Sequence, residues 1–209
     1  MQTDDGHRLI LASASPARLA LLRAAGFDPS VQVSGVDESV VDSTDPAELC
    51  LALARMKARA VASTLPPEPG VLVLGCDSVL AFDGQILGKP ANPAEAVRRW
   101  VAMRGKSGVL HTGHHLTEVT SGKQAEEVGT TVVHFADLSD AEVEAYVATG
   151  EPLHVAGAFT IDGLGGAFVE RIEGDHGNVV GLSLPLFRRL LSAFGVTVPQ
   201  LWKKSEPAA

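Results

Sequence analysis

Leu9-Ile10-Leu11-Ala12-Ser13-Ala14-Ser15-Pro16-Ala17-Arg18 is the most informative stretch of this chain. An apolar run ends, two hydroxyl residues follow, and Leu19, Leu21 and Leu22 open a helical pattern. Pro16 suits the first helical position and Ser15 the cap before it. A strand therefore hands over to a helix through a short turn. Such a helix start presents free backbone N–H groups and the positive end of the helix dipole. Arg18, one turn in, adds a forked donor that suits an anion. An ordinary capped helix with a surface arginine has the same pattern, and the stretch alone favours that blander reading.

Outward from this point the chain reads as mixed α/β. An alternating segment, Ser30 to Val36, predicts a strand that runs into the acidic turn Asp37-Glu38. Thr44-Asp45-Pro46 opens a helix to about Ser63, and a proline-rich loop spans Leu65 to Gly70. Val71 to Phe82 is a long apolar strand, Asp83-Gly84 a hairpin turn, and Gln85 to Gly88 the return. Asn92-Pro93 starts a helix closed by Gly105. Ser107 to Val119 and Glu127 to Phe135 form a strand pair around Ser121-Gly122-Lys123. Ser139 and Glu142 make a capping box for a helix ending at Gly150. Val155 to Ile161 and Gly166 to Ile172 read as a second hairpin, and Pro185 to Phe194 as the last helix. The tail after Trp202 is expected to fray. No internal repeat or low-complexity linker interrupts the 209 residues, of which 45% are hydrophobic, enough for one large domain or two small lobes.

The net charge of −8 argues against a dedicated nucleic-acid binder, which carries a basic face. No apolar run approaches the length of a membrane span, and the polar start Met1 to His7 does not resemble a signal peptide. Two distant cysteines, Cys50 and Cys76, read as buried thiols of a reducing compartment. A cytoplasmic protein is expected.

Some charged groups demand explanation. Asp77 lies inside Val71-Leu72-Val73-Leu74-Gly75-Cys76-Asp77-Ser78-Val79-Leu80. A carboxylate there is costly unless paired, hydrogen-bonded or metal-bound. A strand-end cap is the structural alternative; the embedded position favours a site. Lys57 sits at the border of the stripe Leu49, Leu53, Met56 and Ala60, where a lysine usually snorkels but can also face a cleft. Lys89 is held in the turn Gly88-Lys89-Pro90, and Glu38 stands in an acidic turn; each alone reads as solvated. His111, His114 and His115 lack a third ligand on a shared face, so they do not read as a metal cluster. Gly163-Leu164-Gly165-Gly166 lacks the strand–glycine–helix order of a dinucleotide site.

Taken in order, these pieces resemble the Maf family of nucleoside triphosphate pyrophosphatases. The likeness is carried by Leu11-Ala12-Ser13-Ala14-Ser15-Pro16-Ala17-Arg18, by Val36-Asp37-Glu38, and by Leu53-Ala54-Arg55-Met56-Lys57-Ala58. Gly75-Cys76-Asp77-Ser78-Val79 joins with Leu87-Gly88-Lys89-Pro90, and Ala156 to Gly163 with Gly174-Asp175 and Asn178 to Leu182. The resemblance implies an elongated mixed-sheet α/β fold similar to that of inosine triphosphate pyrophosphatases, with one domain of two lobes around a central nucleotide cleft. It implies hydrolysis of a nucleoside triphosphate to a monophosphate and pyrophosphate with Mg²⁺ or Mn²⁺, and it leaves a homodimer open. By motif, Asp77 looks like the catalytic acid/base and a metal-side carboxylate, and Glu38 like a second one. Ser13, Ser15, Arg18, Lys57 and Lys89 look like phosphate holders.

The positions implied to read the base are Ala17, Ser78 and Asp162. The family's thymidine/uridine-type members carry arginine, threonine and glutamine there; its 7-methyl-GTP-type members carry tryptophan, glutamine and glutamate. This chain matches neither set, so the base stays open. A Gly-Leu-Pro-Leu segment of the family is altered here to Gly181-Leu182-Ser183-Leu184-Pro185. A different class, a nucleotide-binding regulator of cell division without turnover, is the competing reading; the retained Asp77, Glu38, Lys57 and Lys89 favour the enzyme.

Overall fold

The computed structural model describes residues 6–203. The polar start expected not to be a signal peptide, and the tail expected to fray, fall largely outside this range. Among the described residues seven strands, β1 (Arg8–Leu11), β2 (Ser30–Val31), β3 (Val71–Phe82), β4 (Gln85–Leu87), β5 (Ser107–Glu118), β6 (Gln124–Phe135) and β7 (Val169–Glu173), form one mixed sheet in the order β2-β1-β3-β5-β6-β7, with β4 on β3. Six α-helices accompany it among the described residues.

Strand β1 runs parallel to both β2 and β3. Strands β5, β6 and β7 continue the sheet antiparallel. Between β1 and β2 lies α1 (Pro16–Ala24), capped by the Ser15 hydroxyl, which accepts from the Arg18 N–H. Helix α2 (Pro46–Ala62) is capped in the same way by Asp45, and α3 (Pro93–Met103) by Asn92. Helix α4 (Asp140–Ala148) carries the expected Ser139–Glu142 capping box, and α6 (Leu184–Ala193) follows Ser183. At Asp83 and Gly84 φ is 48° and 72°, the left-handed pair that a tight hairpin needs before β4.

Two segments differ from expectation. Only Ser30–Val31 of the predicted Ser30–Val36 strand joins the sheet. It lies at the edge, where Val33 is 60% exposed, so alternation alone found nothing to pair with. The second hairpin does not form. Glu151–His154, Ala156–Ala158 and Leu164–Phe168 are 3₁₀ turns, and β7 pairs with β6 instead. Gly157 and Ala158 have φ of 69° and 60°, which breaks an extended run. The Gly157 N–H donates to the Gly88 carbonyl and the Trp100 indole to that of Ala158, so this chain packs on the β4 turn and α3. The five-residue α5 (His176–Val180) has too short a pattern to be read from sequence.

Helix α2 lies unusually close to the sheet because two facing strand positions are glycines. A Cβ on Gly75 would come within 2.2 Å of the Ala54 carbonyl oxygen, and one on Gly113 within 2.4 Å of that of Cys50. Asp77 pairs with Gly113 in register and shares the strand face of Gly75, so its carboxylate is aimed at α2.

The interior forms two large clusters that meet along β3. Leu80 and Phe82 belong to one, built around Trp100, Phe135, Tyr146 and Phe159. Leu72, Leu74 and Cys76 belong to the other, with Leu11, Leu22 and Phe187. A smaller group, Ile10, Ala58, Val61 and Val73, lies under α2. Both cysteine thiols are buried and pushed up to about 12 by that burial, which makes them inert at neutral pH. Among the described residues no helix is long and apolar enough to cross a membrane.

His114, from the opposite face of β5, is fully buried, and its Nε2 accepts from the Ser183 N–H at 2.8 Å, at the start of α6. Burial, helped by the nearby Arg18 charge, depresses this imidazole from 6.5 to about 4. The unfolded chain takes up its proton near 6.5 while the folded chain resists to about 4. This contribution is therefore complete above pH 6.5 and declines as pH falls toward 4, by about 3 kcal/mol in all. Denaturant unfolding at pH 7.5 and 4.5 checks this: His114→Gln should flatten the acid-side loss. An unchanged slope in that variant would assign the loss to other groups.

Candidate active site

Strand β3 has a notch in its pairing. On the β1 side its partners stop at Leu74, and on the β4 side they begin again at Leu80. Residues 75 to 79 thus lack a ladder partner along one edge, between the two large cores. Asp77 and Ser78 sit in this gap and point to opposite faces.

On the α2 face, the Lys57 ammonium lies 2.5 Å from Asp77 Oδ1 and 2.8 Å from Glu38 Oε1. Lys57 and Asp77 side chains are 11% and 12% exposed, so this pair is buried; Glu38, at 55%, reaches in from the surface. Glu38 opens a single 3₁₀ turn, Glu38–Val40, that Asp37 caps through the Ser39 N–H. Burial pushes the Asp77 carboxyl above its usual range, and Lys57 and Arg18 partly offset that. Sequence spacing puts Lys57 at the edge of the α2 stripe; the glycines at 75 and 113 let that edge reach the carboxylate.

On the other face Arg18 is buried, with four of its five N–H donors spent on protein acceptors. Nε donates to the Gly181 carbonyl at 2.7 Å, and one terminal nitrogen to Ser13 Oγ and to the unpaired Cys76 carbonyl of the notch. The other donates to Ser78 Oγ at 3.0 Å. Arg18 is thus the strut of this wall, with a single N–H left over. Ser13 Oγ accepts from Arg18 and from the Ser15 N–H, which leaves its own O–H free to donate. The Ser78 hydroxyl lies 2.9 Å from Thr112 Oγ1, which donates to the Asn178 carbonyl, and the Asn178 amide reaches Thr131. Thr112 carries no local signature; the register of β3 against β5 sets it beside Ser78, and its bond to the Asn178 carbonyl ties in α5.

Lys89 is exposed on the turn after β4. That turn is anchored because Gly88 accepts from Arg99 at 2.6 Å and from the Gly157 N–H. Asp162 is exposed in the bend before Leu164, and Ala17 is half-buried in the first turn of α1. A carboxylate absent from the sequence expectations, Glu151, sits behind the Asp162 bend; its one sequence signal is its place between a helix-ending glycine and a proline. The three histidines do not converge: His111 meets Thr130, His114 meets Ser183 and His115 meets Glu126. A surface depression of about 480 Å³ on α2, lined by Arg55, Met56 and Arg59 among others, includes no residue of the notch. Its arginines are bonded to Glu126 and Gln124 of β6, which marks a helix–strand seam.

The carboxylate pair suits a divalent cation in one testable respect. Two hard oxygen donors already converge on a single cationic centre, the Lys57 ammonium, and no thiolate or imidazole joins them. Among the described residues no third His, Cys, Asp or Glu completes a protein cage. That is the donor set of an ion such as Mg²⁺, which keeps water and substrate oxygens as its other ligands.

Fold and notch together define an α/β protein that brings carboxylates, an ammonium and a free hydroxyl to one gap in a central strand. Residues 8–194 match the family described as Maf-like protein, and the chain belongs to the Maf family. A Salinispora tropica protein named nucleoside triphosphate pyrophosphatase is 64% identical over 199 residues, covering 94% of this chain and 88% of that protein. Proteins of the same name from Streptomyces coelicolor and Gloeothece citriformis are 57% and 53% identical, over 95% and 93% of this chain and 96% and 97% of their own lengths.

Proposed function

We propose that this chain hydrolyses a nucleoside triphosphate to the monophosphate and pyrophosphate in a cleft at the β3 notch, between the two large cores. The observation that carries the reading is the buried Asp77 carboxylate held 2.5 Å from Lys57 with Glu38 on the same ammonium. The names of the relatives agree with it.

Cleavage between the α- and β-phosphates places charge on the leaving pyrophosphate. Asp77, its proton affinity raised by burial, is suited to orient the attacking water and take its proton. Lys57 spends two of its three donors on Asp77 and Glu38, which leaves a third for a phosphate oxygen. Ser13 donates its free O–H, and Ser15, whose Oγ caps the start of α1 by accepting the Arg18 N–H, has its own O–H to offer an anion. Arg18 acts chiefly by fixing Ser13 and Ser78, and Lys89 meets the triphosphate from its anchored turn. Mg²⁺ or Mn²⁺, held by Glu38 and Asp77, would neutralise charge on the triphosphate.

The test is a panel of nucleoside triphosphates, including methylated bases, incubated with Mg²⁺ or Mn²⁺ and assayed for pyrophosphate. Equal amounts of pyrophosphate and monophosphate are expected, with loss of turnover in excess chelator and no unfolding. A diphosphate with orthophosphate would overturn the reading in favour of cleavage at the γ-phosphate, and no product from any member would overturn it in favour of a binder without turnover.

We assign base choice to Asp162, and Ala17 leaves room where members of the family carry a large side chain. An ionised carboxylate accepts only, so it favours an edge that presents N–H donors, as guanine does. Asp162→Gln should move preference toward uracil or thymine and leave the products unchanged. The same panel, ranked by kcat/KM, checks this; an unchanged ranking removes Asp162 from base reading.

A further inference from the structure

Among the described residues Glu151 is the most heavily hydrogen-bonded carboxylate outside the notch, and the proposed chemistry makes no use of it. Its Oε1 accepts from Tyr146 Oη at 2.9 Å, from Thr160 Oγ1 at 2.5 Å and from the Gly165 N–H at 3.0 Å. Its Oε2 accepts from the Leu164 N–H at 3.0 Å. Tyr146 Oη in turn accepts from the Thr160 N–H. The bend that carries Asp162 is therefore tied down on both sides, at Thr160 and at Leu164–Gly165, by one carboxylate.

The anchor is rigid from below. Tyr146 packs edge-on against Trp100 and Phe168, with ring centroids 5.5 and 5.2 Å away, inside the larger aromatic core. The bend is shaped to fit. A Cβ on Gly163 would lie 2.6 Å from Glu151 Oε2, and one on Gly165 would lie 2.3 Å from Tyr146 Oη. Burial alone would raise the Glu151 carboxyl, but the bonds from Thr160, Leu164, Gly165 and Tyr146 outweigh it and hold it below its usual value. It is thus ionised, an acceptor at every position its four donors need.

We infer that Glu151 is a positioning residue for base selectivity: it fixes the 160–165 bend and thereby the place from which Asp162 meets the base. The inference rests on the proposed reading of Asp162. Glutamine at 151 keeps the shape but replaces one acceptor oxygen with an N–H₂ group, which meets a donor wherever it is turned. A loosened bend loses orientation of the base without touching water activation at Asp77, so the cost falls on binding of the preferred base.

The test compares Glu151→Gln with Asp162→Ala and the unaltered chain on the triphosphate panel, with amide hydrogen exchange alongside. In Glu151→Gln, KM for the preferred triphosphate should rise about tenfold while kcat changes less than about threefold, and KM for poor substrates should move little. Exchange at Leu164 and Gly165 should quicken by about tenfold or more while core amides such as Val133 hold. If Asp162→Ala changes the ranking but folded Glu151→Gln does not, or lowers every substrate equally, the positioning role is overturned while the base reading stands. If Asp162→Ala leaves the ranking unchanged, both fall, and the pyrophosphate assay of the unaltered chain judges the reaction separately. Should Glu151→Gln not fold, Thr160→Val, which removes a single donor, must show the same split to a smaller degree; unaltered selectivity there overturns the proposal.

Discussion

Asp77→Asn should reduce pyrophosphate release by about 10²- to 10⁴-fold, the range expected for a lost proton acceptor, while the protein remains folded. The carboxylate is buried beside Lys57, and burial disfavours its charge. The amide keeps the size of the side chain and a carbonyl that still accepts from Lys57, and it removes the charge that was costly to bury. The fold therefore loses little. The reaction loses both a proton acceptor and a charge for the cation. Turnover measured beside thermal unfolding separates the two effects. A folded Asp77→Asn protein with near-normal turnover would remove Asp77 from the chemistry.

Lys57→Ala should have the second-largest effect, and it should differ in kind. Removing the ammonium leaves Asp77 buried without its partner and sets Glu38 and Asp77 against each other. Breaking such a pair costs about 3 kcal/mol of stability. Triphosphate binding should lose a charge-assisted contact of about 1.5–3 kcal/mol as well, while binding of the nucleoside alone changes little. Lys89→Ala is the natural comparison. Lys89 is exposed, so that variant should lose triphosphate affinity without losing stability. Titration calorimetry with a non-hydrolysable triphosphate and with the nucleoside, beside denaturant unfolding, reads all these quantities. Equal losses for the two ligands would show that neither lysine touches phosphate.

The elements that sequence reading recovers are those set by short-range chemistry. Ser15, Asp45, Asn92 and Ser139 cap helices within three residues of their own positions. Asp83-Gly84 turns a hairpin through its own backbone angles. The pattern fails where pairing partners decide the outcome. Val33 alternates like a strand but lies beyond the sheet edge, and the Val155–Ile161 run is drawn away by bonds to Gly88 and Trp100.

The same division holds at the site. Asp77 stands out in the sequence by itself, because a carboxylate in an apolar strand is costly wherever that strand is buried. Its use depends on Lys57, twenty residues away, and on glycines at 75 and 113 that let α2 approach. Arg18 reads as an outward anion donor, yet its longest-range bond, to Gly181 across 163 residues, helps make it a buried strut. Glu151 has almost no local signature and acquires its place only when the 160–165 bend closes on it. The caps, the hairpin, the buried acid and the family are legible along the chain, because these are local chemistry or motifs in fixed order. Which charges meet is settled by folding alone, because an ion pair depends on distance in space and neither partner's neighbours encode it.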